Sequence, residues 1–108
     1  MIAGGNMDIL DRPPLDRYDF SRMTNMWKKL VLEIVADMIE RHEMCDCQDC
    51  VLDTSALALN SLPARYWILG SYDAFCPPEK FTEDSMNVRL AQEAVLRAYQ
   101  LVSQNPHH

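Results

Sequence analysis

From Met23 onward, apolar side chains recur at alternating spacings of three and one: Met23, Met26, Trp27, Leu30, Val31, Ile34, Val35, Met38 and Ile39. At about 100° of turn per residue these positions form one continuous stripe on an α-helix, with Lys28, Lys29, Glu33, Asp37, Glu40 and Arg41 on the remaining faces. The pattern predicts a first helix from about Met23 to Met44, roughly 33 Å long. Ser21 or Thr24 suits its start, and Arg41 and His42 suit the negative pole of its dipole. A second helix is expected from within the cysteine cluster to about Leu62, with Val51, Leu52, Ala56 and Leu59 on neighbouring turns. Pro63 stops it, because the residue before a proline is steered out of the α region. Val88, Ala91, Val95, Ala98 and Val102 repeat at three and four and predict a third helix over about residues 83–103. Thr82 is its expected N-cap, with Glu83 and Asp84 in the first turn. Between the second and third helices, residues 64–80 mix aromatics, Ile68, Gly70 and the pair Pro77-Pro78. A short extended piece at Tyr66 to Leu69, followed by a loop, fits that mixture.

The expected fold is therefore all-α: a small domain of three main helices. Residues 1–20, with two glycines, Pro13-Pro14 and no apolar period, read as a flexible arm. Residues 21–104 form the helical domain, and 105–108 a disordered or appended tail. A first helix of roughly 33 Å exceeds what one core of this size covers. Part of its stripe is accordingly expected to meet a second copy in a symmetric dimer. With 108 residues the chain is one domain, and domains so small often add a metal, a disulfide or a partner chain.

The formal net charge is −6 and the pI near 4.8. No broad basic surface is available to neutralise a duplex phosphate backbone, so duplex nucleic acid is not an expected partner. A small phosphorylated ligand needs only two or three well-placed cations and stays open. Neither a secretory signal nor a membrane-length apolar run is visible, which leads to the expectation of a cytoplasmic protein.

Three cysteines, Cys45, Cys47 and Cys50, fall within six residues. Thiolates suit tetrahedral zinc, and a C-x-C-x-x-C spacing lets a turn and the first turn of a helix aim three sulfurs at one point. Cys76, in the proline-bounded loop, and His42, three residues before Cys45, are the candidates for the fourth ligand. Four protein ligands would make the zinc structural, tying the end of one helix, the start of the next and the later loop together. Reduced cysteines packed as small hydrophobes are the plain alternative; Asp46, Gln48 and Asp49 between them make a poor dry core. A dithiol redox site would prefer an isolated Cys-x-x-Cys in a βαβ unit, and none is visible. Nor is catalysis expected. His42 is the only interior histidine, there is no nucleophile elbow or glycine-rich phosphate loop, and the acidic residues are dispersed as on solvated helix faces.

The stretch "CDCQDCVLDTSALALNSLPARYW" resembles the signature of the late-competence ComFB family: a C-x-C-x-x-C cluster, an Asp, an A-L-A-L-N segment, then L-P and R-Y, all following a long helix. The match covers Cys45, Cys47, Cys50, Asp53, Ala56 to Asn60, Leu62-Pro63 and Arg65-Tyr66. The resemblance implies a small all-helical domain forming a symmetric dimer, with a structural zinc held by the cysteines. For some members it further implies reception of a cyclic dinucleotide such as c-di-GMP, and for others only an association with competence.

A cyclic dinucleotide needs cations or N–H donors for two phosphates and flat groups to stack its bases. Arg65, Tyr66 and Trp67 are placed to supply both, and Lys28, Lys29 and Arg41 can reach phosphates, especially across a dimer. Tyr66 and Trp67 equally suit closing a core, and the lysines a solvated helix face. The leading expectation is a non-enzymatic, zinc-bearing, homodimeric receptor for a cyclic dinucleotide, c-di-GMP before c-di-AMP, acting on an unknown regulatory partner. The runner-up is a protein-interaction adaptor of the competence or type IV pilus system with no small ligand.

Overall fold

The apolar stripe does form a helix, α1 (Met26–Glu40), but a shorter one than its period suggests. In the computed structural model, which describes residues 8–70 and 77–106, Met23–Asn25 is a strand, β1, and leads directly into α1. It pairs antiparallel with β2 (Tyr66–Ile68), Met23 opposite Ile68, Thr24 opposite Trp67 and Asn25 opposite Tyr66. The remaining elements are α2 (Gln48–Asn60), α3 (Pro78–Thr82) and α4 (Ser85–Gln104). Two single 3-10 turns, at Ile9–Asp11 and Leu15–Arg17, precede them. The all-α expectation thus needs correcting: among the described residues, four helices and a small ribbon stand where three helices were expected.

Asn25 decides where α1 begins. Its Oδ1 accepts the Trp27 N–H at 3.2 Å, capping the helix, and the Arg65 N–H at 3.2 Å. The Met26 N–H in turn donates to the Arg65 carbonyl at 2.7 Å. Both backbone groups of Arg65 are thereby committed, and Asn25 rather than Ser21 or Thr24 supplies the cap. Thr82 likewise is not the cap of the last helix. It ends α3, its hydroxyl bonding back to the Pro78 carbonyl, while the Asp84 carboxylate accepts from the Met86 and Asn87 N–H groups.

The core lies between α1, α2 and α4. Val31, Ala58, Ala91 and Val95 are fully enclosed, and small residues at Ala58, Ala91, Ala94 and Ala98 let α2 and α4 approach closely. Met26, Trp27, Leu30, Val35 and Met38 are buried too, so α1 spends its stripe within its own chain. At 15 residues it is about 22 Å long, and an overlong first helix no longer calls for a second copy to cover it. Phe81 on α3 meets Trp27 edge-on at 4.8 Å and Trp67 at 5.9 Å, which docks α3 and β2 onto the start of α1. Among the described residues, no helix is long and apolar enough to cross a membrane.

Candidate functional site

The chain leaves α1 through a left-handed turn at His42, φ 58°. The His42 N–H bonds the Ile39 carbonyl at 3.0 Å and the Glu43 N–H the Met38 carbonyl at 2.8 Å, the paired bonds of a Schellman ending. Met44 then tucks into the core. This turn delivers Cys45 and Cys47 to the start of α2.

Cys47 is the N-cap of α2; its Sγ accepts the Cys50 N–H at 3.4 Å. Cys50 is in the first turn and 2% exposed. Cys45, on the irregular segment before the helix, donates its backbone N–H to the Tyr99 hydroxyl of α4 at 3.1 Å. The three sulfurs lie within 4.8 Å of one another. Four sulfurs around one zinc, each near 2.3 Å from it, stand about 3.8 Å apart, so the cluster needs only a slight contraction to serve as three corners of that tetrahedron.

Burial, then the hydrogen bonds and proximity of Cys47 and Cys45, push the Cys50 thiol up to about 12. A divalent ion bound beside Cys50 would reverse that balance by stabilising its thiolate. One turn beyond Cys50, Thr54 is fully buried and its hydroxyl finds no hydrogen-bond partner among the described residues. The donor set therefore fits a soft tetrahedral metal.

His42 does not join the cluster. The three cysteines alone form the metal-type group among the described residues, and the His42 ring is exposed on the turn that ends α1. Its place there is conformational, and glycine adopts the left-handed φ at less steric cost than a residue with a Cβ. His42→Gly is expected to raise stability by up to about 1 kcal/mol and to leave metal affinity unchanged, as thermal melts and chelator competition will show. Cys76 lies outside the described residues. Pro78, two positions on, lines a cleft with Met26 and Lys29, at the other end of α1 from the thiols.

The expected ligand residues divide between the two ends of α1. Arg65 leads into β2 with its backbone fixed and its side chain exposed. On the ribbon the side chains alternate. Trp67 turns in against Phe81, whereas Tyr66, 62% exposed, shares the outer face with Met23 and Ile68. The structure thus separates two aromatics that the sequence treats alike. Lys28 and Lys29 are exposed in the first turn of α1; Lys29 makes a 3.9 Å surface pair with Glu33 and borders the cleft of about 340 Å³ that includes Thr24, Asn25 and Leu69. Arg41 is at the far end of α1, beside Asp37, Glu43 and Gln92. Twelve residues at 1.5 Å each set it about 18 Å from Lys29, so one protomer does not gather all the expected cations at one point. The role of Tyr99 at the thiol corner went unseen in the sequence, where Tyr99 is one more residue of an amphipathic helix.

The model of the family described as late competence development protein ComFB matches residues 24–106. The chain belongs to the ComFB family. The ComFB match starts in β1 and takes in the thiol corner, the ribbon and all four helices. Among solved structures, the late competence protein ComFB from Bacillus subtilis is similar with a TM-score of 0.61 and 22% identity, over 78% of this chain and 91% of that one. At that identity the likeness is one of fold. No curated protein sequence matches the chain.

Proposed function

We propose that this ComFB domain is a non-enzymatic regulatory module, a dimeric cytoplasmic receptor for a cyclic dinucleotide, c-di-GMP before c-di-AMP, built around a structural zinc. The observation that carries the receptor reading is the outer face of the ribbon. Tyr66 stands in solvent beside Met23 and Ile68, next to an Arg65 whose backbone is fixed and whose side chain is exposed. An exposed aromatic face suits a nucleobase, and an arginine fork suits a phosphate. Lys28 and Lys29, one helical turn from Asn25, add positive charge, and the surface pair of Lys29 is weak enough to be exchanged for a phosphate. Arg41 joins such a site only from a second protomer. Calorimetry of the full chain with c-di-GMP and c-di-AMP tests the reading: saturable heat with either supports it, and none with both refutes it.

Zinc bound by Cys45, Cys47 and Cys50 would tie the end of α1 to the start of α2; because Pro78 lies at the other end of α1, Cys76, the proposed fourth donor, would complete the site from a second protomer. Cys76→Ser is expected to weaken zinc retention against a chelator as Cys47→Ser does. Full retention would assign the fourth position to another donor.

The dimer draws its support from α2 and α4. Leu57 and Leu101, 42% and 57% exposed, border a groove of about 360 Å³ between these helices, with Ala56 and Val102 beside them. Exposed leucines on a groove of this kind suit a two-fold interface. Leu57→Glu should convert the dimer to monomer in sedimentation while leaving the fold intact. The same groove favours the second reading, an adaptor that docks a regulatory protein of the competence or pilus system without a small ligand. A chain that is monomeric as the parent protein and silent in calorimetry would support that reading.

A further inference from the structure

We infer that Tyr99 is a positioning residue of the thiol corner, holding Cys45 from α4 so that three sulfurs converge. The inference rests on the metal reading above.

The three cysteines are not equally constrained. Cys50 is fixed by α2, and Cys47 by its position as N-cap, its Sγ accepting the Cys50 N–H at 3.4 Å. Cys45 lies in neither helix, on the segment between α1 and α2. Its backbone N–H donates to the Tyr99 hydroxyl at 3.1 Å, across 54 residues of sequence. That bond comes from a rigid support. Tyr99 is half-buried against the core, and its neighbours Ala98 and Val102 are buried in α4. On the other side of Cys45, Met44 is buried. Cys45 is therefore held by an apolar plug before it and a hydrogen bond at its own N–H.

A ligand held before the ion arrives binds it with less ordering cost, and outer-shell partners of metal ligands commonly change affinity by 10–100-fold when removed. The phenol also connects the centre to α4, whose exposed Leu101 borders the groove proposed for the second copy. Metal occupancy and the set of α4 are thus joined through one hydroxyl.

Tyr99→Phe tests this in the full chain, because it deletes the acceptor oxygen and keeps the ring that packs on the core. Zinc affinity is measured by competition with a chromophoric chelator, and the cobalt(II)-loaded protein gives the thiolate-to-metal charge-transfer spectrum. Tyr99→Phe is expected to weaken zinc binding by about 10–100-fold and to alter the cobalt spectrum. A packing control, Val95→Ala, lowers the metal-free melting temperature from within α4 yet is expected to hold zinc within about twofold of the parent, the centre itself being untouched. Parent-like affinity and spectrum in Tyr99→Phe overturn the inference while leaving the metal reading in place, as does an equal loss of affinity in Val95→Ala. A parent protein that binds neither zinc nor cobalt overturns the metal reading and this inference with it.

Discussion

Replacing Cys47 by Ser is expected to lower the melting temperature of the zinc-loaded protein by more than about 10 °C, since a domain this small shifts by roughly 4–8 °C per kcal/mol. Structural zinc contributes apparent binding energies of about 10–16 kcal/mol in small metal-stabilised peptides, and losing one of its ligands removes several of those. The substitution is clean because of where Cys47 sits. It is the N-cap of α2, with its Sγ accepting the Cys50 N–H, and serine is among the preferred caps. A hydroxyl at this position would keep the helix start and delete the soft ligand. The metal-free melting temperature should therefore stay level or rise, and only the increment conferred by zinc should vanish. Melts with and without chelator measure both; identical curves for parent and variant under both conditions would reject a structural metal.

Arg65→Glu is expected to abolish cyclic-dinucleotide binding without disturbing the fold or the dimer. Arg65 serves the fold through its backbone alone: its N–H meets Asn25 Oδ1 and its carbonyl takes the Met26 N–H. Its side chain is exposed, so charge reversal leaves those bonds in place and sets repulsion where a phosphate would stand. Tyr66→Ala, removing one stacking surface, should weaken binding by the roughly 1–3 kcal/mol that base–aromatic stacking supplies. Calorimetry gives both affinities, and sedimentation checks that the variants keep the parent's size. Undiminished binding by Arg65→Glu would move the site elsewhere on the domain.

The long elements were legible because their burial is periodic. The buried positions Leu30, Val31, Val35 and Met38 of α1, and Ala91, Val95, Ala98 and Val102 of α4, are those the spacing marks. What the period cannot show is where it stops applying. Met23 is in phase with the α1 stripe yet belongs to β1 and is 47% exposed, because pairing with Ile68 and capping by Asn25 decide its conformation. A three-residue strand carries too little alternation to compete with that phase. The five residues of α3 were hidden behind Pro77-Pro78, which read as a loop although proline suits the first turn of a helix. At the site, the convergence of three sulfurs was legible because the three cysteines are near in sequence. The exclusion of His42 was not, since it depends on a left-handed turn that points the chain onward and leaves the ring outside. The Tyr99 contact and the separation of Arg41 from Lys29 are tertiary facts: one spans 54 residues of chain, and the other follows from the length of a straight helix.

Native mass spectrometry of the full chain, with and without c-di-GMP, weighs chain number, metal and ligand at once. The expected result is a two-chain species carrying one zinc per chain and gaining the mass of c-di-GMP when the nucleotide is added. A metal-free single chain whose mass does not change with c-di-GMP would contradict the zinc-bearing dimeric receptor proposed for this domain.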